Sequence, residues 1–352
     1  MSHLAIIFGG PSAEHDVSLV SAKNIYEVLS GTQLKTSLLG VTKNKIWKLI
    51  KPTDLLKTDF IKPLNLDEVG LEINLTQEKD GVFIVSQGNQ EERMGPIDVA
   101  FPIVHGPYGE DGQLQTELNQ LGLEFIGSDF LSCENCFDKA KTKDILAEKN
   151  IPQVPHLVFS DENPNFNDLE SRLGTPFFVK PASMGSSIGI AKVSEESQLM
   201  TALADARIHD KKIVIEKGVE AREIECAILE NGEVVISGLG EIKSNHDFYS
   251  YEAKYLDPNG ADLIIPAEVP EETKIKIQEM ASQCFKILGC RDYARADFFL
   301  TQDQSIFFNE INTHPGFTNI SQFPMLWKQE GVSYKDLILK LVNQATKRQT
   351  GK

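Results

Sequence analysis

The chain has 352 residues, 41% hydrophobic and 24% charged, which is typical of a soluble globular protein and, at about 150 residues per domain, predicts two or three domains. Lys and Arg number 35 against 51 Asp and Glu, so the net charge is −16. This charge argues against a general nucleic-acid binder and against attachment to anionic lipid, because both need surplus Lys and Arg. It leaves room for a local basic site that binds a small anion.

The cysteines and the first residues indicate the compartment. Five cysteines are too few, and odd in number, for a disulfide scaffold, so a reducing environment is expected. The first apolar run, residues 4–8, meets Gly9-Gly10 at once and is too short for a secretory signal. No stretch approaches the roughly 18 apolar residues of a membrane span. We therefore expect a cytoplasmic protein without a membrane partner.

Strands and helices alternate in the first third of the chain. The continuous apolar run 4–8 is typical of a strand buried on both faces, and a helix is predicted from about residue 14 to 29. Residues 97–104 predict another buried strand, followed by a helix over about 113–121. This alternation indicates a parallel α/β sheet. Between about 45 and 95 the pattern is irregular and predicts only strands.

The middle of the chain predicts two α+β lobes. Residues 136–150 have the spacing of one helix, which ends at Asn150-Ile-Pro152. Strands are predicted at 176–181 and 188–193 around a Gly/Ser loop, and a further strand covers 211–216. Beyond these, Asn231-Gly232 is a strong hairpin signal between alternating segments.

A second hairpin is predicted at 293–312, and its side chains suit a metal ion. Residues two apart on a strand share a face, so Arg295 projects with Asp297, and Glu310 projects with Asn312. Oxygen ligands without His or Cys suit Mg²⁺, which usually also binds substrate phosphates. An ordinary solvated hairpin would show the same spacing, but the flanking residues are too apolar for a surface ribbon. The pattern therefore favours a site inside a cleft.

The Gly/Ser loop at 182–187 is a second candidate site. Such a loop can direct backbone N–H groups at phosphate oxygens, and Lys180 and Lys139 can add positive charge. It is not a P-loop, because the chain has no Gly-x4-Gly-Lys-Ser/Thr. Taken alone, a plain β-turn explains it equally well. Together with a magnesium hairpin, it indicates a site for ATP without a P-loop.

Two further segments look like parts of the same site. Residues 245–256 carry three Tyr and one Phe without a helical or strand period, which is typical of a long loop that acts as a lid. Residues 312–321 form a turn rich in hydroxyl and backbone N–H donors, which can bind a carboxylate or an oxyanion.

Seven segments follow one another along the chain. They are Phe8-Gly-Gly-Pro-Ser-Ala-Glu-His-Asp-Val-Ser18, His105-Gly-Pro-Tyr-Gly-Glu-Asp-Gly112, Asp138-Lys139, Lys180-Pro181 with Gly185-Ser-Ser187, Tyr251-Glu-Ala-Lys-Tyr255, Arg295-Ala-Asp297 and Asn309-Glu-Ile-Asn-Thr-His-Pro-Gly-Phe-Thr318. In this order they resemble the D-alanine–D-alanine ligases, members of the ATP-grasp superfamily. The likeness extends from residue 4 to about 345, so it covers nearly the whole chain.

The resemblance implies an ATP-grasp fold of mixed α/β and α+β class. It implies an N-terminal parallel α/β domain at 1–130 that forms the floor for the first substrate. A central lobe at 131–218 and a C-terminal lobe at 219–352 would hold ATP between them, with a lid loop at 243–260. The implied activity is ATP-dependent joining of two D-alanines through an acyl phosphate, for peptidoglycan, cell-wall growth and cell shape. Family members are commonly homodimers.

The resemblance also implies roles for individual residues around ATP. The metal ligands, for two Mg²⁺ or Mn²⁺ ions, are Asp297, Glu310 and Asn312. Contacts to the phosphates are expected from Lys139, Lys180, Ser186, Ser187 and Lys254. Contacts to adenine, ribose or the remaining ATP atoms are expected from Glu216, Lys217, Val219, Glu223, Asn309 and Glu310.

Further roles concern the two amino acids. Glu14 is expected to hold the ammonium group of the first D-alanine, with His105 nearby in an open role. Ser186, Tyr255 and Glu14 are expected to form a hydrogen-bonded set that joins the lid to the first domain. The oxyanion of the tetrahedral intermediate is assigned to Arg295 and the Gly316 N–H, and the carboxylate of the second D-alanine to Ser321.

The alternatives differ in how well the residues exclude them. Tyr255 argues against a ligase that uses D-lactate, whereas D-serine is less securely excluded. His314 departs from the small or aliphatic residues of the family, and drift at a tolerant turn explains it most simply. A Rossmann oxidoreductase lacks support, since no Gly-x-Gly-x-x-Gly follows the first strand. A non-catalytic nucleotide-binding module would not need Lys254, Arg295 and Ser321 together.

Overall fold

The computed structural model describes residues 2–87, 93–244 and 260–351. These residues form three sheets, of eight, four and five strands. None of the helices they form is long and apolar enough to span a bilayer.

The first sheet comes from the first third of the chain. Its strands are β1 (His3–Gly9), β2 (Lys35–Val41), β3 (Trp47–Ile50), β4 (Leu71–Glu78), β5 (Gly81–Ser86), β6 (Arg93–Ile97), β7 (Val99–Pro102) and β8 (Glu124–Phe125), in the order β6-β5-β4-β3-β2-β1-β7-β8. The predicted parallel part is confirmed for β2, β1, β7 and β8. The irregular interval 45–95 adds an antiparallel extension, β3 to β6.

Five helices accompany this part of the described chain. They are α1 (His15–Leu29), α2 (Pro52–Leu55), α3 (Gln113–Gln120), α4 (Phe130–Phe137) and α5 (Lys139–Ala147). Every residue of β1 is buried, and its alternate side chains enter two different cores. The continuous apolar run therefore forms a strand that is covered on both faces, as the sequence predicts.

The single helix predicted over 136–150 is wrong. The chain leaves the helical conformation at Asp138, whose ψ is 100°, and so separates α4 from α5. The Asp138 carboxylate accepts hydrogen bonds from the N–H groups of Ala140 and Lys141, so it caps a new helix instead of continuing the old one. This break places Lys139 in the first turn of α5.

The second sheet is wholly antiparallel, in the order β11-β10-β12-β9. Its elements are β9 (His156–Phe159), α6 (Phe166–Leu173), β10 (Phe177–Pro181), β11 (Ala191–Val193), α7 (Glu196–Arg207) and β12 (Ile213–Lys217). The predicted strands around the Gly/Ser loop are confirmed as the pair β10 and β11.

The third sheet, in the order β15-β14-β13-β16-β17, contains both predicted hairpins. Its elements are β13 (Ala221–Asn231), β14 (Glu233–Ser244), β15 (Ala261–Ile264), α8 (Glu271–Ile287), β16 (Tyr293–Thr301) and β17 (Ile306–Asn312). The hairpins β13–β14 and β16–β17 are confirmed. A register shift after Asp297 was not foreseen.

Two final helices return to the first sheet. They are α9 (Gln322–Gln329) and α10 (Tyr334–Thr350). Phe323 of α9 and Leu337 and Leu341 of α10 share a core with Phe8 of β1 and Phe101 of β7. The turn between β17 and α9 is therefore held against the ends of the first strands. The domain limits given above stay a prediction.

Candidate active site

A cleft of about 450 Å³ lies where the three sheets meet. It collects side chains from segments that are far apart in the sequence. The predicted site residues along its walls are Glu14, His105, Lys139, Ser186, Arg295, Glu310, Asn312, Gly316 and Ser321. The cleft brings acidic, basic and hydroxyl groups into one partly enclosed space.

The hairpin β16–β17 forms one wall. Arg295 lies opposite Asn312 and Asp297 opposite Glu310, so the spacing argument predicted these neighbours correctly. The Arg295 guanidinium donates to both carboxylate oxygens of Asp297, at 2.8 and 2.7 Å. Its Nε also lies 3.1 Å from Oε2 of Glu225, on β13. Burial alone would lower the pKa of Arg295, but these two carboxylates raise it well above its ordinary value.

The oxygen atoms of this wall fit a hard divalent cation. Asp297, Glu310 and Asn312 supply carboxylate and amide oxygens from two adjacent strands. Among the described residues, no group of three or more His, Cys, Asp and Glu side chains can hold a metal alone. Oxygen donors of this kind suit Mg²⁺, and substrate phosphates and water commonly complete its coordination.

Glu110 and Glu225 belong to this site although the sequence reasoning gave them no role. Both are buried and line the cleft. Burial and the nearby Glu14 raise the pKa of Glu110 well above its ordinary value. Glu110 lies within a quoted motif and could have been noticed, whereas Glu225 needed the register between β13 and β16.

A buried ion triad joins α5 to the two central strands of the second sheet, β10 and β12. The Glu216 carboxylate is 2.7 Å from Nζ of Lys143 and 2.5 Å from Nζ of Lys180. Lys143 was not predicted, and it is fully buried. It follows Lys139 by four residues on α5, so the two lysines share a helix face, and this spacing could have identified it.

Replacing Glu216 with glutamine is expected to destabilise the fold most at neutral pH. Burial tends to raise the pKa of Glu216, but Lys143 and Lys180 together hold it well below its ordinary 4.5. A carboxylate with a depressed folded pKa contributes stability above its unfolded pKa and loses it as the pH falls. The difference in urea midpoint between the parent and Glu216→Gln should therefore be larger at pH 7 than at about pH 3.5.

The exposed Glu233→Gln is the matched control for this experiment, and its midpoint should follow the parent's at both pH values. An equal Glu216→Gln difference at the two pH values contradicts the ion-triad argument.

The Gly/Ser loop between β10 and β11 contacts the first domain. Ser186 Oγ donates to Oε1 of Glu14 at 2.6 Å. Lys139 Nζ donates to the Met184 carbonyl oxygen at 2.5 Å. Ser186 and Ser187 have φ values of 53° and 58°, a left-handed conformation that costs non-glycine residues about 1–3 kcal/mol each. The loop is thus held in a strained shape over the cleft.

The turn after β17 has a compact internal structure. Ser321 Oγ accepts from the Thr318 N–H at 3.1 Å and lies 2.7 Å from Thr318 Oγ1. A Cβ atom on residue 316 would lie 2.8 Å from Ser321 Oγ, so only glycine fits without displacing the serine. The backbone of Gly316 and the hydroxyl of Ser321 therefore approach each other closely at the cleft.

The remaining predicted residues divide into two groups. The first group lies outside the cleft lining, on or beside the second and third sheets. It comprises Lys180, Ser187, Glu216, Lys217, Val219, Glu223, Asp297 and Asn309, of which Lys217 is exposed. Lys254 and Tyr255, with most of the predicted lid at 243–260, lie outside the described residues.

Comparison with known proteins gives consistent matches along the chain. The family description "D-ala D-ala ligase N-terminus" matches residues 3–128, and "D-ala D-ala ligase C-terminus" matches residues 145–343. D-alanine–D-alanine ligase A of Salmonella typhimurium is 42% identical over 351 residues, covering 99% of this chain and 96% of the relative. D-alanine–D-alanine ligase of Shouchella clausii is 40% identical over 349 residues, covering 98% of this chain and 95% of the relative.

Solved structures agree. The VanG D-Ala:D-Ser ligase of Enterococcus faecalis has a TM-score of 0.85 and 30% identity, covering 98% of this chain and 99% of that one. The D-alanine–D-alanine ligase of Coxiella burnetii has the same TM-score and identity, covering 99% and 95%. These neighbours confirm the predicted fold class.

Proposed function

This chain belongs to the D-alanine–D-alanine ligase family, and we propose that its cleft joins two D-alanines in an ATP-dependent reaction. The product, D-alanyl-D-alanine, is a precursor for peptidoglycan. The observation that carries the proposal is the meeting of Glu14, Arg295 and Glu310 in one cleft, next to a hydroxyl-rich turn. It offers separate places for an ammonium group, an anionic phosphate and a second carboxylate.

The reaction proceeds in two steps. A carboxylate oxygen of the first D-alanine attacks the γ-phosphorus of ATP, the bond to ADP breaks, and an acyl phosphate forms. The amine of the second D-alanine then attacks the acyl carbon, phosphate leaves, and the nitrogen loses a proton. Phosphoryl transfer depends mainly on positioning and on neutralising charge.

The side chains on the hairpin wall are suited to this charge. Asp297, Glu310 and Asn312 would hold two Mg²⁺ or Mn²⁺ ions, which when bound neutralise phosphate charge. Lys139 and Lys180, with Ser186, Ser187 and Lys254, would bind phosphate oxygens. On the adenosine side, the proposed contacts are Glu216, Lys217, Val219, Glu223 and Asn309.

The amino acids would bind on the other side of the cleft. Glu14 would hold the first ammonium group, and its hydrogen bond with Ser186 supports a link between the loop and this substrate. Arg295 and the Gly316 N–H would stabilise the oxyanion of the tetrahedral intermediate. Ser321 would bind the carboxylate of the second D-alanine, and Tyr255 would complete the set with Ser186 and Glu14.

We further propose that the protein works in the cytoplasm as a homodimer without nucleic-acid partners. The net charge of −16 supports the last point. Five free cysteines, all buried, fit a reducing compartment.

The proposal is tested by phosphate release from ATP and Mg²⁺ with D-alanine, L-alanine, D-serine, D-lactate or no acid, with products identified by mass. We expect release with D-alanine alone and a D-alanyl-D-alanine product. A mixed D-alanyl-D-serine product when both amino acids are present would assign the specificity of the E. faecalis structural neighbour instead. ATP binding without release under any condition contradicts a ligase.

A further inference from the structure

We propose that His105 is a positioning residue that fixes the turn at 313–316, rather than a ligand of the first D-alanine. The inference rests on the proposed function, because the turn carries the groups assigned to the second half-reaction. The proposal is argued from a hydrogen bond in which Nδ1 of His105 donates to the carbonyl oxygen of His314. The two atoms are 2.9 Å apart, and the residues are separated by 209 positions in the sequence.

The hydrogen bonds of His105 define its tautomer. A carbonyl oxygen can only accept, so Nδ1 must carry the proton. In a neutral imidazole, Nε2 is then an acceptor, and the Ser21 hydroxyl lies 3.3 Å from it. Burial lowers the pKa of His105, which favours the neutral ring. Its one donor and one acceptor are therefore both used by protein groups.

The neighbouring acid does not replace this hydrogen bond. Oε1 of Glu110 lies 3.9 Å from Nδ1 of His105, beyond hydrogen-bond distance. Glu14 also acts on the ring, but only as a nearby charge. His105 is 2% exposed, so little of the residue is open to a polar substrate atom.

The partner carbonyl lies at a sensitive place. It precedes Gly316 by two residues, in the turn that the proposed function assigns to the oxyanion and the second carboxylate. The His314 side chain anchors this turn weakly: Nδ1 is 3.3 Å from Thr313 Oγ1, and within the described chain Nε2 has no hydrogen-bond partner although it is buried. The backbone hydrogen bond to His105 is thus a polar link between this part of the turn and the first domain.

Apolar contacts support the same arrangement. Phe317 packs edge-on against Phe101 of β7, with ring centroids 5.6 Å apart. Tyr334 donates to the Phe317 carbonyl oxygen at 2.5 Å. Phe101 lies near the end of β7 and His105 follows that strand by three residues, so one short segment positions the turn by a polar and an apolar contact.

This geometry predicts that His105 acts on the second half-reaction. Removing its N–H lets Gly316 and Ser321 shift, and small misplacements of such groups cost up to about 100-fold in rate. Formation of the acyl phosphate uses Glu14 and the wall formed by the hairpin β16–β17, so its rate should change little.

The experiment compares two amide variants of His105. The Nδ2 of Asn lies near the place of Nδ1, whereas the longer Gln places its amide near Nε2. We measure dipeptide formation, and exchange of ¹⁸O between the β,γ-bridge and the β-nonbridging positions of ATP, which reports reversible acyl-phosphate formation. In His105→Gln the ratio of exchange to dipeptide formation should rise about tenfold or more, and in His105→Asn it should return toward the parent's ratio.

The possible outcomes separate the explanations. Equal losses of exchange and dipeptide in both variants would place His105 on the first substrate and overturn the proposal, as would an unchanged ratio in His105→Gln. Ser21→Ala removes the hydrogen bond to Nε2 without altering His105, and it should raise the same ratio about two- to threefold. This variant tests the proposal if the His105 variants do not fold. An unchanged ratio in Ser21→Ala also overturns the proposal. Absence of dipeptide from the parent protein contradicts the proposed function itself.

Discussion

Replacing Glu310 with glutamine is expected to lower D-alanine-dependent phosphate release by about 10³-fold, or about 4 kcal/mol of activation free energy. Glu310 lies opposite Asp297 on the hairpin wall and acts electrostatically on both Lys139 and Arg295. Glutamine keeps the shape of the side chain but removes the charge that a divalent ion needs. The loss should therefore appear in turnover and in the Mg²⁺ concentration required, not in folding.

The same hairpin offers a matched control. Asp303 is exposed at its tip and bonds only to Thr301 and Ser305 among the described residues, so Asp303→Asn removes one carboxylate far from the cleft wall. Its phosphate release should equal the parent's. Unaltered phosphate release by Glu310→Gln contradicts the metal assignment. So does a fall in the melting midpoint large enough for unfolding to explain the lost activity.

Local patterns predicted the residues on this wall, but not how they are paired. Period-two spacing placed Arg295 with Asp297 and Glu310 with Asn312, because alternation is a property of any strand. The contact between Arg295 and Glu225 depends on β13 lying beside β16, which joins segments about 70 residues apart. Only the folded sheet order decides that neighbour.

Two other differences between the predictions and the structure have the same origin. The helix predicted through Asp138 fails because a side-chain cap competes with helical spacing, and spacing alone cannot rank the two. The family resemblance assigned Glu216 to a contact with adenine. Its contacts with Lys143 and Lys180 depend on the packing of α5 against the second sheet, which the sequence did not predict. The sequence therefore predicts which residues meet in the cleft better than it predicts which charges compensate each other.

Replacing Arg348 with methionine is expected to lower the free energy of unfolding by about 3 kcal/mol, the cost of breaking a buried ion pair. Arg348, near the end of α10, donates to Oδ1 and Oδ2 of Asp292 at 2.6 and 2.8 Å and to Glu124 at 2.9 Å. Asp292 is fully buried and also accepts from the Gly127 N–H. Methionine keeps most of the apolar stem but leaves the Asp292 carboxylate without this cation.

A double-mutant cycle isolates the pair. Asp292 has a φ of 65°, which asparagine tolerates, so Asp292→Asn removes the charge without changing the backbone preference. In the Asp292→Asn background, Arg348→Met should lower the free energy of unfolding by less than half of what it loses in the parent. Lys347→Met removes an exposed charge from the same helix and should shift the urea midpoint little. Strictly additive losses in the free energy of unfolding contradict the pairing argument.

The pair also connects stability with the cleft. Glu124 belongs to β8 of the first sheet, and Asp292 directly precedes β16, the strand that carries Arg295. Arg348 therefore ties the first sheet to the strand on which the proposed oxyanion contact lies, near the point where His105 meets the turn. In Arg348→Met, well below its unfolding midpoint, we expect the apparent KM for D-alanine to rise severalfold while the affinity for ATP is kept. A loss of ATP affinity equal to the rise in KM would instead indicate general loosening of the fold.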